Sequence, residues 1–180
     1  MTLGFSTKWP DRMGELAGQP NYFVEKVWNE LTYTGSPYIH KPMMDISWNI
    51  HNNNHITKFG KQWDMPDNPV YAKPHTIRED PSNRWRVGMD IHFVIYNRTK
   101  NRFQFAPVIK CVSTQEIKII WTPYNTRPLE VQIDNKWFNP YGRSIKRLAI
   151  NDGFPSVEAF FQYFDKNFYG KIIHWTDLRY

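Results

Sequence analysis

Cysteine is almost missing from this chain: its 180 residues include one, Cys111, so no internal disulfide can form. Cys111 lies in the apolar run FAPVIKCV, with no helix start or nearby base in the sequence to lower its pKa, and reads as a structural thiol. This favours a reducing, cytoplasmic setting over secretion. No apolar stretch is long enough to cross a membrane, and the opening MTLGFSTKWPDRMGEL lacks the basic-then-apolar order of a signal peptide. The expectation is an intracellular protein with no membrane partner. Glycine is sparse, nine scattered residues with no phosphate-cradling loop, so nucleotide hydrolysis of the usual kind is set aside. No serine-protease-like signature and no internal repeat occur either, and no cofactor is implied.

Apolar and aromatic residues are plentiful, at 41% and 17% of the chain, which suits a globular core. The length points to a single domain over residues 1–180. Formal net charge is +6, and its distribution is uneven: residues 71–110 hold eight Lys and Arg against three Asp and Glu. Five of the six excess positive charges therefore fall in that segment, which favours a polyanionic partner over an evenly solvated surface.

TLGFSTKW alternates loosely as a first strand, and NYFVEKVWNEL sets Phe23, Val24, Val27, Trp28 and Leu31 on one helical face after an Asn cap. Residues 32–71 keep no sustained period and read as a long insertion, packed on the domain by Trp48, Phe59 and Trp63. Within it, the four-residue spacing of His51 and His55 would suit a metal on a helix. The Asn triplet between them argues against a helix, and no metal site is expected.

From Lys73 onward the chain turns to β. KPHTIRE, MDIHFVIYN, NRFQFAPVIKCVS and EIKIIWT read as an antiparallel meander, and VQIDNKWF as a hairpin turning at Asp134-Asn135. GRSIKRLAINDG is a short helix ending at Gly153. PSVEAFFQYFDKNF, capped by Ser156, aligns Val157, Phe160, Phe161, Phe164 and Phe168 on one helical face. GKIIHWTD closes the chain as a strand. The sum is an α+β fold, with a barrel-like, mostly antiparallel sheet of about five to seven strands and helices at both ends.

KPHTIRED, residues 73–80, gathers Lys73, His75, Arg78, Glu79 and Asp80 around one large apolar residue, Ile77. Lys73 can serve as a base or a phosphate anchor, Thr76 carries a hydroxyl, and Arg78 offers a planar donor fork that Glu79 and Asp80 can orient. The plainer reading is a charged edge strand that discourages aggregation. Beyond it, Arg84, Trp85, Arg86, Arg98, Lys100 and Arg102 interleave cations with an aromatic, a pattern that suits a nucleic-acid backbone and its bases.

The run K-P-H-T-I-R, then R-W-R-V-G-M-D, then L-A-I-N-D-G-F before an amphipathic helix, resembles the ASCH domains of the PUA-like superfamily. The likeness extends over nearly the whole chain, with 32–71 as an insertion before the motif strand. Ala72 stands where the pattern usually has glycine, and Gly88-Met89-Asp90 replaces a direct Gly-Asp pair. The resemblance implies a small β-barrel that binds RNA or a modified-nucleotide ligand in a basic cleft floored by KPHTIRED, with His75 and Arg78 among the contacts. It also implies an alternative. Some small ASCH proteins deacetylate N4-acetylcytidine, and the matching residues here are Lys73, Thr76 and Asp152, the last in place of Glu. A neutral Lys73 would take the Thr76 proton, the alkoxide would attack the amide, and Asp152 would pass a proton to the leaving amine. In a regular strand Lys73 and Thr76 point to opposite faces, so they meet only if the strand bends or begins near Pro74. A third alternative is a protein-interaction module using the aromatic insertion.

Overall fold

The structure is a computed structural model that describes residues 1–35, 41–63, 70–124 and 127–180. Among the described residues, two sheets and four α-helices form an α+β fold. The first sheet holds β1 (Thr2–Phe5), β3 (Asp90–Ile95), β4 (Phe103–Gln104) and β5 (Ile109–Lys110). The second runs in the order β2 (His75–Arg78), β9 (Phe168–His174), β6 (Ser113–Trp121), β7 (Pro128–Ile133) and β8 (Lys136–Phe138). No ladder joins the two into a closed barrel among the described residues. Nor do the strands after Lys73 form one meander. β2 pairs with β9 at the far end of the chain, while β3 pairs with β1, in parallel, in the other sheet.

Each sheet has its own core. Helix α1 (Phe23–Asn29) buries Val24, Val27 and Trp28 against Leu3, Phe5, Ile91, Phe93 and Phe105 of the first. Asn21 supports its start, where Oδ1 accepts from the Phe23 amide at 3.1 Å. Helices α3 (Arg143–Asn151) and α4 (Val157–Tyr163) cover the second sheet, packing Ile145, Leu148 and Phe160 on Ile117, Ile119, Val131 and Ile172. Ser156 caps α4 by accepting from the Ala159 amide at 3.2 Å. Phe168 is not on that helix. It starts β9, because α4 ends at Tyr163 and the chain turns through Asp165–Asn167 first.

The insertion departs further from expectation. Lys41–Phe59 is a helix, α2, and HNNNH lies inside it. Its inner stripe is Met44, Trp48, His51, His55 and Phe59, spaced by three or four, and Trp48, Phe59 and the following Trp63 pack on the first core. Asparagine's poor helix propensity, a few tenths of a kcal/mol per residue, is outweighed by these ring contacts. Trp28 meets Trp48 at 5.1 Å and His51 at 5.7 Å, and His55 stacks on Trp63 at 3.9 Å.

Candidate functional site

β2 is an edge strand, yet His75, Thr76 and Ile77 are buried, so it is not a solvated edge. An edge strand has amides with no strand to bond, and here Asp152, just past the end of α3, supplies an acceptor. Its Oδ1 takes the Ile77 amide at 3.2 Å and Lys73 Nζ at 2.6 Å. Lys73 Nζ also donates to the Asp152 carbonyl, and Lys26 Nζ donates to the Gly153 carbonyl at 2.7 Å. Lys73 and Asp152 therefore converge from distant parts of the chain, both almost fully buried. Burial pushes Lys73 down to about 8, against the pull of Asp152, and pushes the Asp152 carboxyl up.

Thr76 does not join them. The strand starts at His75, after Pro74, but then alternates regularly. Thr76 pairs across β9 with Ile173, a first-core residue, while Ile77 pairs with Ile172 of the second core. Thr76 Oγ1 is buried and has no hydrogen-bond partner among the described residues. The geometry is thus an ion pair beneath one face of the strand and a hydroxyl on the other.

His75 is wholly buried, with a second histidine, His174, opposite it at a ring distance of 5.2 Å. The Tyr180 hydroxyl accepts from Asn151 Nδ2 at 2.8 Å and shares a hydrogen bond with His75 Nε2 at 2.7 Å. Gln115 holds the Tyr180 backbone at both ends, donating to its carbonyl and accepting from its amide at 3.0 Å each. His75 is therefore packed under the C-terminal segment, out of reach of a ligand. Burial first, and then His174 and Lys73, hold its imidazole well below the ordinary range. Burial drives His174 down to about 3.

Only the end of the motif strand opens outward. Ile77, Arg78 and Glu79 line a cleft of about 570 Å³ with Arg12, Tyr163, Asp165, Lys166 and Phe168. Arg78 is anchored on one side, donating to the Ile77 carbonyl at 3.1 Å and the Gly4 carbonyl at 3.0 Å, with its guanidinium 5.1 Å from the Phe5 ring. It thereby ties β2 of one sheet to β1 of the other. Arg12 lies over the Tyr163 ring at 4.4 Å. Asp80 orients neither Arg78 nor Lys73. It accepts from the Arg84 and Trp85 amides at 2.9 Å each and fixes the turn after β2.

The remaining sequence-predicted contacts lie elsewhere. Trp85 is 5% exposed and fills the first core, which removes it as a stacking surface. Arg84 and Arg86 are exposed beside Met1 and Met89, at the start of β3. Arg98, Lys100 and Arg102 are exposed in the turn that follows β3. The length of β3, roughly 20 Å for six residues, separates the two groups. The cations concentrated in the sequence therefore do not line one cleft. Cys111 is buried, its thiol pushed up to about 11 by that burial, as suits a structural residue. Among the described residues no group of three or more His, Cys, Asp or Glu is placed to hold a metal. No described helix is long and apolar enough to cross a membrane.

Sequence reasoning missed Arg12, Tyr163 and Lys166. Arg12 comes from a 3-10 turn (Asp11–Leu16) and the others from the end of α4 and the turn beyond it, so no local pattern links them to β2. No protein-family model, curated protein or solved structure matches the chain.

Proposed function

We propose that this protein binds RNA or a modified, nucleotide-like ligand in the cleft where the KPHTIRED strand ends. The supporting observation is the lining of that cleft, where Arg12, Arg78 and Lys166 stand beside Tyr163 and Phe168. Cations of this kind take phosphate, and ring faces take a base. The volume of about 570 Å³ falls within the roughly 300–1,000 Å³ of small-ligand sites. Arg78 spends two of the five N–H groups of a guanidinium on backbone carbonyls, which fixes its plane and leaves the others for a phosphate. Glu79 and Asp165 offset part of the positive charge, so the site favours a ligand that brings a ring as well as an anion.

The same proposal takes the chain as an ASCH-like, PUA-type fold, with the two sheets as the parts of a barrel, working in the cytoplasm. Equilibrium dialysis of a nucleoside monophosphate against its nucleoside tests the binding reading. The monophosphate should bind at least roughly tenfold more tightly, the worth of one charge-assisted hydrogen bond. Lys166→Ala should remove most of that difference. Equal retention of the two ligands would sink the reading.

The contact between Lys73 and Asp152 supports a second reading, an amidohydrolase acting on acylated nucleosides, with Thr76 as the nucleophile. It requires Thr76 to turn to the Lys73 face and the strand to open. Wild-type protein that releases no acetate from N4-acetylcytidine would remove this reading. Turnover lost in Thr76→Ala with the fold intact would establish it.

A further inference from the structure

We infer that a second cleft, below the turn that joins β3 to β4, takes one base and the adjoining phosphates of a single-stranded nucleic acid. The inference rests on the reading above that the ligand is nucleotide-like, and it gives the insertion a purpose. The cleft, of about 220 Å³, lies between the start of α1 and the residues that follow α2, and Lys8, Lys61, Trp63 and Tyr96 line it. That volume is below the roughly 300 Å³ at which drug-sized sites begin, so it suits one planar base taken out of a stack.

The walls carry rings and the rim carries charge. His55 stacks on Trp63 at 3.9 Å and the Phe59 ring meets Tyr96 at 5.8 Å, so α2 holds two of the aromatics that line the cleft. Tyr96 remains 43% exposed despite that contact. It adopts a left-handed backbone with φ 51°, and Arg98 does the same at φ 64°, a conformation uncommon for residues other than glycine. Two such residues in one short turn, one an exposed ring and one a cation, mark a turn shaped for contact. Lys58 Nζ donates to the Arg102 carbonyl at 2.9 Å and fastens the turn to α2. Lys8 and Lys61 line the cleft with Glu25 as its carboxylate, and Arg98, Lys100 and Arg102 are exposed in the turn that begins at Tyr96. This is charge complementarity to a chain of phosphates. Exposed lysines and arginines with an aromatic recess between them form the pattern that tracks a single strand.

The test uses the full chain and a labelled single-stranded RNA of about 12 nucleotides, within the roughly 4–16 that such grooves occupy. The triple variant Lys61→Ala, Arg98→Ala, Lys100→Ala should lower the slope of log affinity against log salt by about 2, at roughly 0.7 per phosphate contact. Tyr96→Ala should weaken binding roughly 5- to 150-fold, the worth of one stacked base, and leave the slope unchanged. Wild-type affinity and slope in both variants would overturn the inference. If Arg12→Ala and Lys166→Ala then weaken binding, the first cleft stands and only this second one fails. If the rim variants alone weaken binding, the second cleft stands and the first fails. Wild-type protein with no salt-dependent RNA binding would overturn the inference, while the dialysis of a nucleoside monophosphate decides the first cleft separately.

Discussion

Lys73 and Asp152 are a staple before they are anything else. Their 2.6 Å pair, with the Ile77 amide on the same carboxylate, holds the edge strand to the end of α3 in a place that water does not reach. Removing one member of a buried pair leaves the other charge uncompensated, at a cost of roughly 3–5 kcal/mol. Urea unfolding should therefore show that loss in Lys73→Met. Adding Asp152→Asn to it, which retains an oxygen for Ile77, should recover part of the loss. A single variant within about 1 kcal/mol of wild type would mean that the pair contributes little to folding. Gly153, the next residue, has φ 93°, and a Cβ there would lie 2.8 Å from the Phe23 ring. Gly153→Ala should cost about 1–3 kcal/mol through strain and this contact.

The two buried histidines impose a pH dependence of definite sign. An unfolded histidine takes a proton below about 6.5, whereas His174 in the folded protein resists protonation until about 3 and His75 stays well below its ordinary range. Between those limits the unfolded state binds more protons. The stability is therefore fully present above about pH 6.5 and falls as the pH drops, by up to about 1.4 kcal/mol per unit for each histidine. Asp152, pushed up by burial, acts in the opposite sense in the acid range, so the comparison is best made between variants. His174→Phe, read by denaturation at several pH values, should flatten the slope by one proton. An unchanged slope would show that His174 titrates normally in the folded protein.

At the scale of elements, most of the fold was legible. Period-two runs of β-branched and aromatic residues marked β3, β6 and β7, and helical spacing with Ser156 and Gly153 marked α3 and α4. Pairing was not legible, because nothing local says that β2 lies beside β9 or that β1 runs parallel to β3. Helix α2 was hidden for a different reason. Its inner stripe uses histidine where a pattern search looks for leucine or valine, and His55 buries its ring while Nδ1 bonds the Lys61 carbonyl at 2.8 Å. Counting histidine as an inward residue would have exposed the spacing. His55→Ala should accordingly destabilise the protein by roughly 1–3 kcal/mol, as the loss of a stacked, buried ring does. Ellipticity and urea unfolding together would check it, and no change in either would mean that the helix is held by its other rings alone.

At the scale of the whole molecule, the candidate site was half legible. Folding divides KPHTIRED: Lys73, His75 and Thr76 go inward and Arg78 faces a cleft. The residues that line the cleft with Arg78 come from the Asp11–Leu16 turn, the end of α4 and the loop after it, and a charge count along the chain cannot anticipate them. The same count overstated unity, since β3 holds its two groups of cations apart. The two clefts proposed to bind have different linings. Titration of labelled single-stranded RNA into wild-type protein and into Arg12→Ala/Lys166→Ala, from about 50 to 200 mM salt, addresses the central claim most directly. Weaker binding by the variant is expected throughout, with a salt slope shallower by about 1.4, two contacts at roughly 0.7 each. A variant that matches wild type in both affinity and slope would contradict it.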